Sequence, residues 1–326
     1  MSRYRDQVAA ALRAVTIRGD RGYTWLGRPS RTPAARLYAA MDAAERRQHL
    51  VRSLREELYA SFYCHGRPMA ARWGAFQPIA ADPGLVSALS ASNCGTFTWE
   101  NGWAVARVED REVVVRSARL RARVPAADCR AGSGAAASVR VPTGLPALAP
   151  GFYTVVGEAP VEHPRPRGDV RVYWNVGRDG APDLVRALTS RLNDAGEPFR
   201  LKVADHPSRL ARCDAAVLYL AGDTFPGLRP MLRLLAAELE HHPQPDVPAF
   251  TLELAPGVGL SENDPDAESF GSRRCALLAD GIVQAHEQGL VHGSARIDAV
   301  AARFAEDGVL IDAPYREPAL AGRHVL

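Results

Sequence analysis

The chain is almost without lysine. It carries forty basic residues, and reading along it shows thirty-nine arginines and a single lysine, Lys202. Arginine keeps its proton in proteins, whereas a lysine ammonium can be tuned until it loses one. A position that stayed lysine in such a background points to a general base. Cysteine is scarce as well. Cys64, Cys94, Cys129, Cys213 and Cys275 are widely spaced, odd in number and form no C-x-x-C pair, which excludes a disulfide framework and a zinc ribbon and predicts reduced thiols. No stretch approaches the ~18 apolar residues of a membrane span. The opening MSRYRDQVAAALRAV is amphipathic without the apolar centre of a signal peptide. These absences predict a soluble, cytoplasmic protein with no membrane partner. An excess of one charge is also missing, because 37 acidic residues bring the net charge down to +3. Nucleic-acid binding by overall charge is not expected, so a positive site must be local.

What is present reads as a globular chain. At 47% hydrophobic and 24% charged over 326 residues, it is long enough for one large or two ordinary domains. Apolar spacing predicts a helix over 5–16, then an irregular loop rich in Gly, Arg and Pro. A long helix follows from about Pro33 to Tyr63, with Leu37, Met41, Leu50, Leu54, Leu58 and Phe62 on one stripe, ended by Gly66 and Pro68. Tyr59, Phe62, Tyr63 and His65 cluster at its end, as core packing or as a pocket wall formed by Tyr63, His65 or Arg67. Two alternating runs around an acidic turn, TFTWENGWAVARVED and REVVVRSARLRARV, predict a β-hairpin. Its Arg116, Arg119, Arg121 and Arg123 read either as a solvated face or as a basic strip for an acidic partner. The segment from Ala126 to Pro150 reads as a linker. From Gly151 onward, strands FYTVVG, DVRVYWNV, PFRLKVA, CDAAVLYL and VPAFTLEL alternate irregularly with helices, a glycine loop APGVGLSEN and an extended tail. The expectation is an α+β fold with a mixed sheet flanked by helices. An N-terminal helical and β-hairpin lobe over 1–140 would precede a lobe over 141–326, the two forming one compact unit.

Side chains of one parity share a face of a strand. In RVYWN that groups Arg171, Tyr173 and Asn175; in FRLKV it groups Arg200 with Lys202; in RCDAAVLYL it groups Arg212 with Asp214. If these strands are neighbours, one face is apolar and the other holds arginines around the lone lysine. Neighbouring guanidinium groups and partial burial both favour a neutral amine. A phosphate held by arginine beside such an amine suits removal of a proton β to the phosphate, with phosphate as leaving group. The competing reading is a salt bridge between Lys202 and Asp214. His241 and His242 lack a third ligand for a metal site. APGVGLSEN lacks the G-K-[ST] of a P-loop. GLVHGSARID with GVLID is similar to a kinase catalytic loop, but Ser294 stands where the catalytic Asp belongs and no Asn follows.

The order LYASFYCHG, GFYTVVG, RVYWN, LTSRLNDAGEPFRLKV, RCDAAVLYL, PAFTLELAPGVGLSE and ESFGSRRC resembles the HopA-type effector family. That family includes lyases of class V lanthipeptide and thioamitide biosynthesis. The resemblance implies a phosphoserine/phosphothreonine lyase. A separate kinase similar to aminoglycoside phosphotransferases would phosphorylate a ribosomal precursor peptide, and this chain would eliminate the phosphate to leave dehydroalanine or dehydrobutyrine, without metal or cofactor. A lysine base in other bacterial phosphothreonine lyases fits Lys202 by analogy, and we assign Arg171, Arg212 and Arg274 to the phosphate, with Arg67 as a fourth. Tyr173 is the first choice of acid, with His65 and His206 as alternatives. Asn175, Asp214 and Tyr63 would orient the substrate, and Arg273 would open a helix whose N-terminus can bind an anion. The alternative is a peptide- or kinase-binding module of the same fold with no chemistry of its own.

Overall fold

The computed structural model describes residues 2–19, 22–30, 34–70, 79–117, 121–160, 168–239, 244–264 and 268–326. Arg119, His241 and His242 lie outside them.

Helix α1 (Arg3–Ala14) runs directly into a small antiparallel sheet of β1 (Val15–Ile17), β2 (Tyr23–Trp25) and β3 (Arg28–Pro29). This corrects the predicted loop: Tyr23 and Trp25 are buried, but runs of two or three residues are too short to show alternation. The long helix is also two. α2 (Ala35–Ala40) is separated from α3 (Ala43–Ser61) by Asp42, which exchanges bonds with Glu45: each side chain accepts from the other's backbone N–H. Such a reciprocal cap starts a helix. Leu37 is consequently exposed, while Leu50, Leu54 and Leu58 stay buried. The stop is where the sequence puts it, in a 3₁₀ turn over Tyr63–His65 with Gly66 at φ 69°.

After α4 (Pro83–Ser92), the predicted hairpin forms from β4 (Phe97–Glu109) and β5 (Glu112–Arg116). With β6 (Arg121–Pro125), β7 (Cys129–Ala131) and β8 (Ala136–Pro142) it builds a five-stranded sheet in the order β6-β5-β4-β8-β7. The supposed linker over 126–150 is therefore mostly strand, because it also holds β9 (Gly144–Ala149). Its small residues have weak strand propensity, and pairing with β4 and with the next strand decides the outcome.

The remaining elements are β10 (Phe152–Val156), β11 (Asp169–Trp174), α5 (Gly180–Asp194), β12 (Phe199–Ala204), β13 (Ala216–Ala221), α6 (Phe225–Glu238), β14 (Leu252–Ala255), β15 (Val258–Asn263), α7 (Phe270–Glu287) and α8 (Gly293–Glu306). They give a seven-stranded sheet ordered β14-β15-β11-β13-β12-β10-β9. The fold is α+β, but this sheet is antiparallel throughout rather than mixed. The cause is topological. α5 returns the chain so that β12 runs the same way as β11, and β13 then fills the slot between them in the opposite sense. APGVGLSEN is not a free loop either, since it turns at Gly257 (φ 73°) into β15, whose residues are all buried. The tail forms turns and a short 3₁₀ segment instead of an extended strand.

One face of the large sheet is apolar. Val172, Trp174, Leu201, Val203, Leu218 and Leu220 pack against Leu184 and Leu188 of α5 and Phe225 and Leu232 of α6. Each such side chain contributes about 1.5–3 kcal/mol by leaving water. The other face is partly covered by a cluster that joins Val8 of α1, Leu54 and Leu58 of α3, and Phe270, Leu278 and Phe304 of α7 and α8 to Tyr173 and Val217. The first helices thus share a core with the last ones. Among the described residues no helix is long and apolar enough to cross a membrane.

Candidate functional site

The register fixes what surrounds Lys202. Across β10, β12, β13 and β11 one row reads Thr154, Lys202, Val217, Tyr173, and the adjacent row on the same face reads Arg200, Tyr219, Arg171, Ser261. Strands neighbour one another at about 4.8 Å, so both rows span only a few side-chain widths. Tyr219 is the hub. The Arg200 guanidinium lies 4.5 Å from its ring centre, that of Arg171 5.2 Å and the Lys202 ammonium 5.5 Å. Cations are drawn to the electron-rich face of such a ring.

None of these three cations has an ion pair among the described residues. The alternative of a Lys202–Asp214 salt bridge is not realised, because both oxygens of Asp214 accept from Arg212, each at 2.7 Å. Half-buried Lys202 has its pKa lowered from the ordinary lysine value, first by burial and then by the charges of Arg200 and Arg171. Arg171 shows the converse. Burial opposes its charge, but the nearby phenols of Tyr173, Tyr219 and Tyr63 more than offset this and raise its pKa. Among the described residues two buried polar atoms here have no partner, Arg171 Nε and the Thr154 hydroxyl directly across from Lys202. A preformed set of unneutralised donors beside a poised amine is suited to binding an anion and accepting a proton.

Tyr173 is buried, with its hydroxyl 3.0 Å from Ser261 Oγ. Tyr63 is buried beside it, stacked on Tyr59 with ring centres 5.2 Å apart. Its pKa rises through burial first and then the neighbouring Tyr173 and Asp214. α7 reaches this close because Gly271 faces the Tyr63 ring, where a Cβ would stand 2.4 Å from the ring carbons.

The other residues singled out by sequence lie elsewhere. Arg212 and Asp214 are in the turn before β13, not on the strand, so strand parity counted from them is inverted. Val217 and Tyr219 share the Lys202 face, and Ala216 and Leu218 point to the apolar core. Arg212 also donates to the Tyr59 hydroxyl at 3.3 Å. Arg274 is fully buried within α7, donating to the carbonyls of Pro314 and Arg316, with its pKa lowered to about 10 chiefly by burial. It is a strut for the tail. Arg273 Nη1 donates to both carboxylate oxygens of Glu317, each at 2.9 Å. Arg67 is exposed and 3.5 Å from Asp246. Asn175 donates to the Asp246 carbonyl at 2.9 Å and ties that loop to the end of β11. His65 lies near Arg212 and Asp214, and burial followed by the Arg212 charge lowers its pKa. His206 bonds locally to Ser208. Parity alone identified Arg200; Tyr219, Thr154 and Ser261 were missed. Counting alternation from the Leu-x-Leu of AVLYL, rather than from the charged pair before it, would have found Tyr219. Among the described residues no group of three or more His, Cys, Asp and Glu could hold a metal ion.

A family model described as the HopA1 effector protein family matches residues 144–316. The chain belongs to this family. The match begins at β9 and takes in the whole seven-stranded sheet with α7 and α8, so the Lys202 face lies within the HopA1 region. A solved structure of the effector protein from Pseudomonas syringae pv. tomato strain DC3000 is 15% identical, covering 86% of this chain and 93% of that one with a TM-score of 0.44. That of the effector protein from Pseudomonas syringae pv. syringae strain 61 is 16% identical, covering 73% and 83% with a TM-score of 0.37. A search of curated proteins returned no match.

Proposed function

We propose that this HopA1-family chain is a phosphoserine/phosphothreonine lyase acting on a ribosomally made precursor peptide, after a separate kinase has phosphorylated it. The reading is carried by one observation: the only lysine of the chain sits with its pKa lowered beside two arginines that no carboxylate neutralises among the described residues. In the reaction, neutral Lys202 takes the α-proton of the phosphorylated residue. The electrons of that C–H bond become the Cα–Cβ double bond, the Cβ–O bond breaks, and phosphate departs. Arg171 and Arg200 hold the phosphate as charge gathers on it, a role that preorganised donors perform well. Tyr173, in the same row as Lys202 across β13, serves in this reading as donor to the departing oxygen. Tyr63, buried beside Tyr173, forms part of the wall on that side. The product is dehydroalanine or dehydrobutyrine.

The test is to incubate the purified protein with phosphoserine and phosphothreonine peptides and follow their mass. Elimination leaves a residue lighter by one water than the parent Ser or Thr, which a thiol then traps; hydrolysis restores the parent. Wild type is expected to give the trapped adduct, and Lys202→Ala to lower its rate by about a hundredfold to ten-thousandfold. Absence of any dehydro product, or a rate indifferent to Lys202, sinks the reading.

A further inference from the structure

The sheet β6-β5-β4-β8-β7 lies outside both the family match and the Lys202 face. Its pairing sorts side chains cleanly. One face is apolar, with Trp103, Val113, Val115, Ala137 and Val139 clustered. The other face collects arginines. Arg116 pairs with Arg121, Val114 lies between Arg123 and Arg107, Arg140 pairs with Trp99, and Arg130 pairs with Ser138. All six of these arginines are exposed. Glu109 contacts Arg107 and Arg123, Glu112 contacts Arg123 at 3.2 Å, and Asp128 contacts Arg140 at 3.4 Å. Arg116, Arg121 and Arg130 have no ion pair among the described residues.

We propose that this face binds an extended acidic segment of another polypeptide. Crossing it from β6 to β7 takes four strand spacings, about 19 Å, the length of about six residues of extended chain. Each unpaired guanidinium offers a fork that a carboxylate fills with two parallel bonds. The aromatic rings decide between acidic partners. The Arg130 guanidinium already covers the Trp99 ring at 3.7 Å, and Arg140 covers Phe97 at 3.7 Å. A single-stranded nucleic acid would need those ring faces for base stacking, whereas a peptide carboxylate needs only the outward N–H groups. The stacked rings also hold the guanidinium planes still, so less freedom is lost on binding. A bare solvated edge, the simplest use of charges on an outer strand, would not need an exposed arginine on each of the five strands.

The experiment uses the full chain and a fluorescein-labelled peptide of about ten residues alternating Glu with Ser, spanning the face with a margin, followed by fluorescence anisotropy. Expected are binding of this peptide, none of its Gln-for-Glu counterpart, and affinity that falls as salt rises. Arg116→Glu/Arg121→Glu is expected to weaken binding at least about tenfold. Arg13→Glu/Arg233→Glu, exposed arginines on α1 and α6, is expected to leave it unchanged. Far-UV circular dichroism checks that both variants fold. No binding, or equal loss in the two variants, overturns the proposal. So does an oligothymidylate that binds more tightly and displaces the peptide, which would assign the face to nucleic acid.

Discussion

Lys202 was legible because arginine surrounds it in composition, and the structure adds why its proton is loosely held. A base accepts a proton only when neutral, so elimination should rise with pH until the Lys202 ammonium is titrated. Since burial, Arg200 and Arg171 all lower that pKa, the rising limb of kcat/KM should fall below the ordinary lysine value of about 10.4. Arg200→Gln removes a like charge and should move the limb to higher pH, lowering the rate at neutrality. A pH profile of the two proteins measures this, and an unmoved limb would detach Lys202 from the observed base. Tyr219 supplies a ring, not a proton, in this arrangement. Tyr219→Phe should therefore keep KM for a phosphopeptide within about twofold, whereas Tyr219→Leu loses cation contacts worth about 0.5–1 kcal/mol each and should raise it several-fold.

At the scale of elements, strands with strict alternation were readable and those announced by charge were not. DVRVYWNV and PFRLKVA placed Arg171, Tyr173, Arg200 and Lys202 on one face, and the pairing of β11, β13 and β12 puts them side by side. RCDAAVLYL misled because Arg212 and Asp214 belong to a turn locked by their own ion pair, and a turn resets parity. The segment 126–150 misled for another reason: Ala, Gly and Ser carry no strand signal, so their state depends on distant partners such as β4. Nothing local could announce that α7 packs onto the 3₁₀ turn after α3 either, yet this contact seats Tyr63 beside Tyr173. It depends on Gly271. Gly271→Ala would force its Cβ into the Tyr63 ring, and overpacking of this kind costs about 1–3 kcal/mol. Urea denaturation should show a lower midpoint with an unchanged slope, and the activity should drop with it because the ring displaced is the one next to Tyr173.

Over the whole molecule, the last residues act as a clasp between the sheet and α7. Glu262 is fully buried on β15. One of its oxygens accepts from the backbone N–H of Val325 at 2.7 Å and Leu326 at 3.0 Å, and the other from Glu317 N–H at 3.2 Å and contacts His324 Nδ1 at 2.5 Å. The same segment holds α7 through Glu317 to Arg273 and through the Pro314 and Arg316 carbonyls to Arg274. Glu262→Leu would strand three backbone donors and the His324 ring at once, while Glu262→Gln keeps an acceptor for some of them. Each stranded donor costs about 1–3 kcal/mol where water cannot reach it. The leucine variant should thus release residues 314–326 to limited proteolysis under conditions where wild type resists, with the glutamine variant between them. Mass spectrometry of the cleavage products reads this directly. Because Arg274 would lose its carbonyl partners while remaining close to Tyr63 and Tyr173, the leucine variant should also eliminate phosphate more slowly than its remaining folded fraction accounts for. A full rate per folded molecule would show instead that the clasp serves stability alone.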